Sequence, residues 1–218
     1  MASPFDQSTY QVRHEWGVAG LARLAAADIV VVVDVLRFSS TLPDAVASGT
    51  AVALADAVEW SSNGAAVAAS AGDALVLVGG LRNAAAVARA VQTVQERRQA
   101  RTSVAVIAAG EKADDGSLRF AVEDQLGAGA VIAALTDLGI DHTAPDAAVA
   151  AEGFRALRRA LGHLLSASGS ARELEIGVAS TARMAESGIR PASVAEAAAL
   201  DSSDVVPVLR EGLFVRFE

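Results

Sequence analysis

Residues 29–33 read IVVVV, five β-branched apolar residues in succession, and Asp34 follows them. A strand with one wet face alternates apolar and polar side chains, whereas an unbroken apolar strand needs cover on both faces. ALVLVGG (74–80) and TSVAVIAAG (102–110) have the same character, with EIGVAS (175–180) and GLFVRFE (212–218) as weaker strand candidates. The strong runs lead into Ala-rich segments with helical spacing. Together these features predict an α/β chain, a three-layer α/β fold with a mixed or mostly parallel sheet between helices.

Residues 81–99, 122–139 and 146–168 each read as a long amphipathic helix. Another is expected to start near Thr41, which is placed to cap it; Pro43 then falls in the first turn and Asp44 meets the positive end of the helix dipole. Ser193 to Glu196 has capping-box spacing. With 218 residues, 52% of them hydrophobic, the chain suffices for one substantial domain or two small ones sharing a sheet. It reads as a single unit over 1–218, divisible into two subdomains. Residues 48–70 are harder to place, because they leave little room for a strand before the Ser-Ser-Asn-Gly turn at 61–64.

Composition removes whole classes of function. A net charge of −8 without a basic, aromatic-interleaved run argues against nucleic acid as a partner, while a local patch still suits small anions. The absence of cysteine excludes disulfides, thiolate metal sites and cysteine nucleophiles. The amino end lacks the basic flank and apolar core of a signal peptide, and no apolar run reaches the length of about 20 residues that crosses a bilayer. The expectation is a cytoplasmic protein with no membrane partner.

Ligands of open α/β sheets sit beyond the carboxyl ends of the strands. There the sequence sets Asp34, Arg37, Ser39, Ser40 and Thr41. One reading is a structural ion pair between Asp34 and Arg37. The other is a phosphate site, with helix amides near Ser40 and Thr41 and Arg37 as a clamp. A carboxylate beside a phosphate needs a cation between them, and with no Cys and three His the ligands would be oxygens, which favours Mg²⁺. Glu123 and Asp124 would add ligands, or simply favour a helix start. Asn63-Gly64 is a turn, to which Ser61 and Ser62 add donors. In GGLRNAAAVA (79–88), Arg82 and Asn83 open a helix, where phosphate contact and capping are equally compatible.

Rival motifs fail. The haloacid-dehalogenase type of phosphatase needs a second Asp two residues after the first, but Leu36 stands there. His14 has no second His four residues on, and no dinucleotide fingerprint, P-loop or nucleophile elbow is present.

In order along the chain, VVVVDVLRFSST, SSNGAA, GGLRNAAAVA, VEDQLGAGAVIAAL and ALDSSDVVPVL resemble the motif series of the 2-phosphosulfolactate phosphatase (ComB-like) family. The resemblance implies a Mg²⁺-dependent acid-type phosphatase with an α/β fold of its own. Its substrate would be (R)-2-phospho-3-sulfolactate, a small anionic organophosphate, converted to 3-sulfolactate and phosphate; in coenzyme M producers that step belongs to coenzyme biosynthesis. By motif, Asp34, Arg37, Ser39 and Ser40 match the first block, and Asn63 with Gly64 the second. Asn83 matches the third, Glu123 and Asp124 the fourth, and Asp201 and Asp204 the last. On this basis Asp34 with one or both of Glu123 and Asp124 engages Mg²⁺, Arg37 holds phosphate, and the hydroxyls and Asn63 bind its oxygens. Ser62, Gly64, Arg82 and Asn83 are the expected substrate-binding neighbours.

One departure stands out: the segment between the first block and the Asn-Gly turn is shorter than the family's, around residues 50–62, and lacks an evident strand to feed that turn. Either the protein is naturally shortened or residues once joined Trp60 to Ser61. The second reading of function is a non-catalytic anion-binding or subunit-interaction protein on the same fold. A homodimer is the default expectation for assembly.

Overall fold

The computed structural model describes residues 3–113 and 115–218. Its strands are β1 (Val12–Trp16), β2 (Ile29–Val33), β3 (Val52–Ala53), β4 (Leu75–Val78), β5 (Val104–Ala108), β6 (Glu111–Lys112), β7 (Leu118–Arg119), β8 (Pro207–Arg210) and β9 (Leu213–Arg216). The helices are α1 (Gly17–Arg23), α2 (Phe38–Ala47), α3 (Leu54–Trp60), α4 (Gly64–Ala69), α5 (Ala84–Arg98), α6 (Val122–Asp137), α7 (Pro145–Leu157), α8 (Leu161–Ser166), α9 (Gly169–Ile176), α10 (Ala179–Glu186) and α11 (Val194–Ala197). Seven strands form one mixed sheet in the order β1-β5-β2-β4-β8-β9-β3, while β6 and β7 pair separately. The β1-β5-β2-β4 half is parallel, and the β4-β8-β9-β3 half is antiparallel.

The unbroken apolar run of β2 is covered on both faces. Ile29, Val31 and Val33 pack into one core with Val87 of α5, Val131 of α6 and Ala150 of α7. Val30 and Val32 point the other way, against Leu42 of α2, Ala57 of α3 and Ala65 of α4. The period-two alternation of a strand therefore serves two cores at once, and the three layers follow. Helix α6 is buried nearly all round, and small residues bring its neighbour close: a Cβ on Gly129 would lie 2.2 Å from the carbonyl oxygen of Ala150 in α7.

Several expectations are corrected. Residues 175–180 form no strand; they span the end of α9, Gly177 at φ +100°, and the start of α10, with Ile176 87% exposed. Helix 146–168 is broken into α7, a 3-10 turn at Arg158–Ala160 and α8, which lets Leu161 and Leu165 reach the core. Helix α2 starts at Phe38, three residues before Thr41, because Asp34 supplies the acceptors for its first N–H groups: the Asp34 carbonyl takes the Ser39 N–H at 2.7 Å. No strand feeds the Asn-Gly turn; after the two-residue strand β3, helix α3 delivers it. Strand β1 was hidden by its polar residues. Arg13 is buried by donating to the carbonyls of Tyr10 and Ala25, and His14 by its Nδ1 contact with the Val106 carbonyl. Among the described residues no helix is long and apolar enough to cross a membrane.

Candidate active site

Asp34 follows β2 at the carboxyl edge of the parallel strands and is 8% exposed. Three donors hold its carboxylate. Oδ2 accepts from the Gly64 N–H at 3.0 Å and from the Ser61 hydroxyl at 3.2 Å, and Oδ1 accepts from the Phe38 N–H at 3.4 Å. Close approach of the Ser-Ser-Asn-Gly turn requires a residue without a side chain, since a Cβ at Gly64 would lie 2.7 Å from Asp34 Oδ2. Helix α3 thus brings the turn to the strand end.

Behind Asp34, the Asp124 carboxylate accepts from the N–H groups of Val35 at 2.7 Å and Gly110 at 2.9 Å. It clamps the β2 and β5 exits together. Burial, and then the charges of Asp34 and Glu123, push the Asp124 carboxyl well above the ordinary carboxylate range, against those two N–H bonds. Asp34 is also raised, mainly by burial, with Glu123 contributing and its three donors opposing. Glu123 is 2% exposed.

A cavity of about 240 Å³ opens over Asp34. Arg37, Ser62, Asn63 and Glu111 face it together with residues of α9 and α10. Arg37 donates to the Thr181 hydroxyl of α10. Glu111 accepts from Asn63 Nδ2 at 3.1 Å and from the Ser170 hydroxyl at 3.1 Å. Burial foremost, and next the charge of Asp34, raise the Glu111 carboxyl above its ordinary value.

The structure therefore gathers Asp34, Arg37, Ser62, Asn63 and Gly64, and separates other predicted residues from the cavity. Ser39 is buried, its hydroxyl donating to the Asp34 carbonyl and accepting the Asp34 N–H. Ser40 is buried and offers its carbonyl to Arg82, whose guanidinium forms a two-pronged pair with Asp44 at 2.8 and 3.0 Å. Asn83, fully buried, accepts from the Gly80 N–H and donates to the Val205 carbonyl. Asp201 accepts from the Ala85 N–H at the start of α5. Glu123 and Asp124 lie behind the cavity rather than lining it.

Among the described residues, Asp34, Glu111, Glu123 and Asp124 take part in no ion pair. Of these, Asp34, Glu123 and Asp124 are buried, and buried carboxylates outside any ion pair fit a hard divalent ion, all their donor atoms being oxygens. No three potential ligand side chains among the described residues converge as a metal cage. Mg²⁺ suits such a set, because it binds through one or two carboxylates plus waters and phosphate oxygens.

Sequence reasoning missed Glu111, Ser170, Thr181 and Arg183. Glu111 had a signal: it follows TSVAVIAAG as Asp34 follows IVVVV, at the carboxyl end of a buried strand. The residues of α9 and α10 had none, being far along the chain and brought over the site only by folding.

The chain is a three-layer α/β protein in which a buried carboxylate and an arginine face one cavity at the carboxyl edge of a sheet covered on both sides. The family model of 2-phosphosulpholactate phosphatase matches residues 51–212, and the chain belongs to that family, which carries the name of a phosphoric monoester hydrolase. The matched stretch holds Asn63, Asn83, Glu123 and Asp124 and begins downstream of Asp34 and Arg37, which the fold brings to the cavity that Asn63 lines. No curated protein matches the chain.

Proposed function

We propose that the protein is a Mg²⁺-dependent phosphatase that hydrolyses 2-phosphosulfolactate, or a related small phosphorylated hydroxy acid, to the hydroxy acid and phosphate. The observation that carries this reading is that the buried Asp34 carboxylate and the Arg37 guanidinium face one strand-end cavity. Family membership supports it.

Hydrolysis consumes one water. Its oxygen ends on phosphorus, the bond from phosphorus to the organic oxygen breaks, and that oxygen leaves with a proton. Arg37 pairs with the phosphoryl oxygens and holds them in line, while Ser62 and Asn63 donate to the remaining oxygens. Glu111 retains its proton to higher pH than an ordinary carboxyl and gives it to the leaving oxygen. Asp34, with one or both of Glu123 and Asp124, would hold Mg²⁺, which would supply neutralisation of charge on the phosphoryl group. Arg82 and Asn83 serve the framework in this scheme, holding α2 and the β4 exit.

The test is phosphate release from 2-phosphosulfolactate, phospholactate and an aryl phosphate, each with Mg²⁺ and with EDTA. Turnover that EDTA abolishes and Mg²⁺ restores is the expected result. Release from none of them by folded protein overturns the phosphatase reading.

A further inference from the structure

A second cavity, of about 300 Å³, lies between the edge strand β1 and the first turns of α6 and α7, and shares no lining residue with the cavity over Asp34. His14, Glu15 and Trp16 of β1 line it with Gln125 of α6 and Asp146 and Val149 of α7. His14 is 4% exposed, yet its Nε2 has no hydrogen-bond partner. Buried polar atoms are nearly always paired, so an orphan beside a cavity points to a group from outside the chain.

The other ring nitrogen fixes what Nε2 can do. Nδ1 lies 2.9 Å from the Val106 carbonyl, which only accepts, so Nδ1 carries the proton and Nε2 is a bare lone pair. Burial lowers the His14 pKa below its ordinary value, against the Val106 bond and the charges of Glu15 and Asp146, and the ring stays neutral at neutral pH. With Nδ1 turned to β5, Nε2 is on the ring edge turned away from that strand. Gln125 lies close enough to act on the ring but makes no hydrogen bond to Nε2.

The remaining walls favour positive charge. Among the described residues no Lys or Arg lines the cavity, so an anion finds no cationic partner there. Glu15 is already paired with Arg23 at 2.9 Å, whereas Asp146 enters no ion pair and takes the Gln7 amide at 3.4 Å. Trp16 sets an aromatic ring 6.0 Å from the His14 ring, and such a ring attracts cations. A metal ion is less suited, because no three ligating side chains converge among the described residues. A cation that satisfies a lone pair must bring its own N–H donor.

We propose that this cavity binds a small organic cation bearing N–H groups, an alkylammonium or alkylguanidinium, which donates to His14 Nε2, sets its charge toward Asp146 and rests its alkyl part against Trp16 and Val149. The site is independent of the phosphatase reading.

Imidazole nitrogen NMR reads the proposed contact directly, because an unprotonated ring nitrogen shifts when it accepts a hydrogen bond. The full chain would be titrated with propylammonium, propylguanidinium and tetramethylammonium, the last a cation without N–H groups, and His14→Gln would assign the His14 signal by its loss. At least one of the first two is expected to shift the Nε2 signal saturably in the millimolar range or below, and tetramethylammonium to leave it in place. The tighter of the two identifies the head group. Asp146 is exposed, so Asp146→Asn should leave thermal unfolding unchanged and weaken the binding about threefold. No saturable shift with either N–H cation, an equal shift with tetramethylammonium, or affinity unchanged in Asp146→Asn overturns the proposal. A response to Zn²⁺ alone overturns it in favour of a metal site.

Discussion

Arg37 and Glu111 face one cavity with opposite tasks in the proposed reaction. Removing the charge of Arg37 leaves the phosphoryl oxygens without their clamp, so Arg37→Ala should lower phosphatase kcat/KM by about tenfold or more. Near-normal turnover of a folded variant would remove Arg37 from the scheme. Glu111 is separable from Arg37 by leaving group. An alkoxide needs a proton as it departs and a nitrophenolate does not, so Glu111→Gln should slow phospholactate hydrolysis by about 100-fold and nitrophenyl phosphate hydrolysis far less. With wild-type protein, turnover of the alkyl phosphate should fall as pH rises through the elevated Glu111 pKa, because the proton donor is lost. Equal losses on both substrates would assign Glu111 to positioning Asn63 and Ser170 instead.

At the scale of elements, caps decide where helices begin. The Ser193 to Glu196 box forms as its spacing predicts: the Ser193 hydroxyl accepts from the Glu196 N–H, and the Glu196 carboxylate accepts from the Ser193 N–H at 2.7 Å. Arg190 and the Ser193 donors lower the Glu196 carboxyl to about 2. A depressed acid stabilises the fold above its ordinary value of 4.5 and loses that contribution as pH falls toward about 2. Glu196 is partly exposed and Arg190 largely so, so the ion pair itself adds little in salt. Ser193→Ala should cost about 1 kcal/mol in denaturant unfolding. No loss would show that α11 is held by packing alone. The start of α2 followed the opposite course, because its acceptor came from Asp34 rather than from the nearest Thr. Local spacing found the box whose partners lie three residues apart, and it misread the helix whose first N–H groups are taken by a strand-end aspartate.

Across the whole molecule, folding concentrates Asp34, Glu123 and Asp124 behind one strand end. Their cost has a definite sign. Asp34 and Asp124 hold protons more tightly folded than unfolded, so their contribution is full below the ordinary value of 3.8 and is lost as pH rises through the elevated folded values. Metal-free protein should therefore melt at lower temperature at about pH 8 than at about pH 4, near the ordinary carboxylate value, and added Mg²⁺ should raise Tm more at the higher pH. Asp124→Asn should flatten the metal-free slope. A slope unchanged by that substitution would locate the pH dependence elsewhere.

Much of the fold was legible in the sequence, since strands β2, β4 and β5 follow from apolar runs too long for a sheet with a wet face. Strand β1 was not, because Arg13 and His14 read as surface residues until backbone carbonyls from other segments satisfied them. The floor of the site was visible in the same way: a carboxylate ending a buried strand must meet donors or a cation. What lies above that floor was decided by tertiary structure. Ser39, Ser40, Arg82 and Asn83 look like binding residues in their motifs, yet they satisfy buried backbone and neighbouring charge, a role that only packing reveals. Arg183 carries no local signal at all. It reaches the cavity because Met184 has a core to enter, and burial of an apolar side chain aims its neighbour wherever the fold supplies that core.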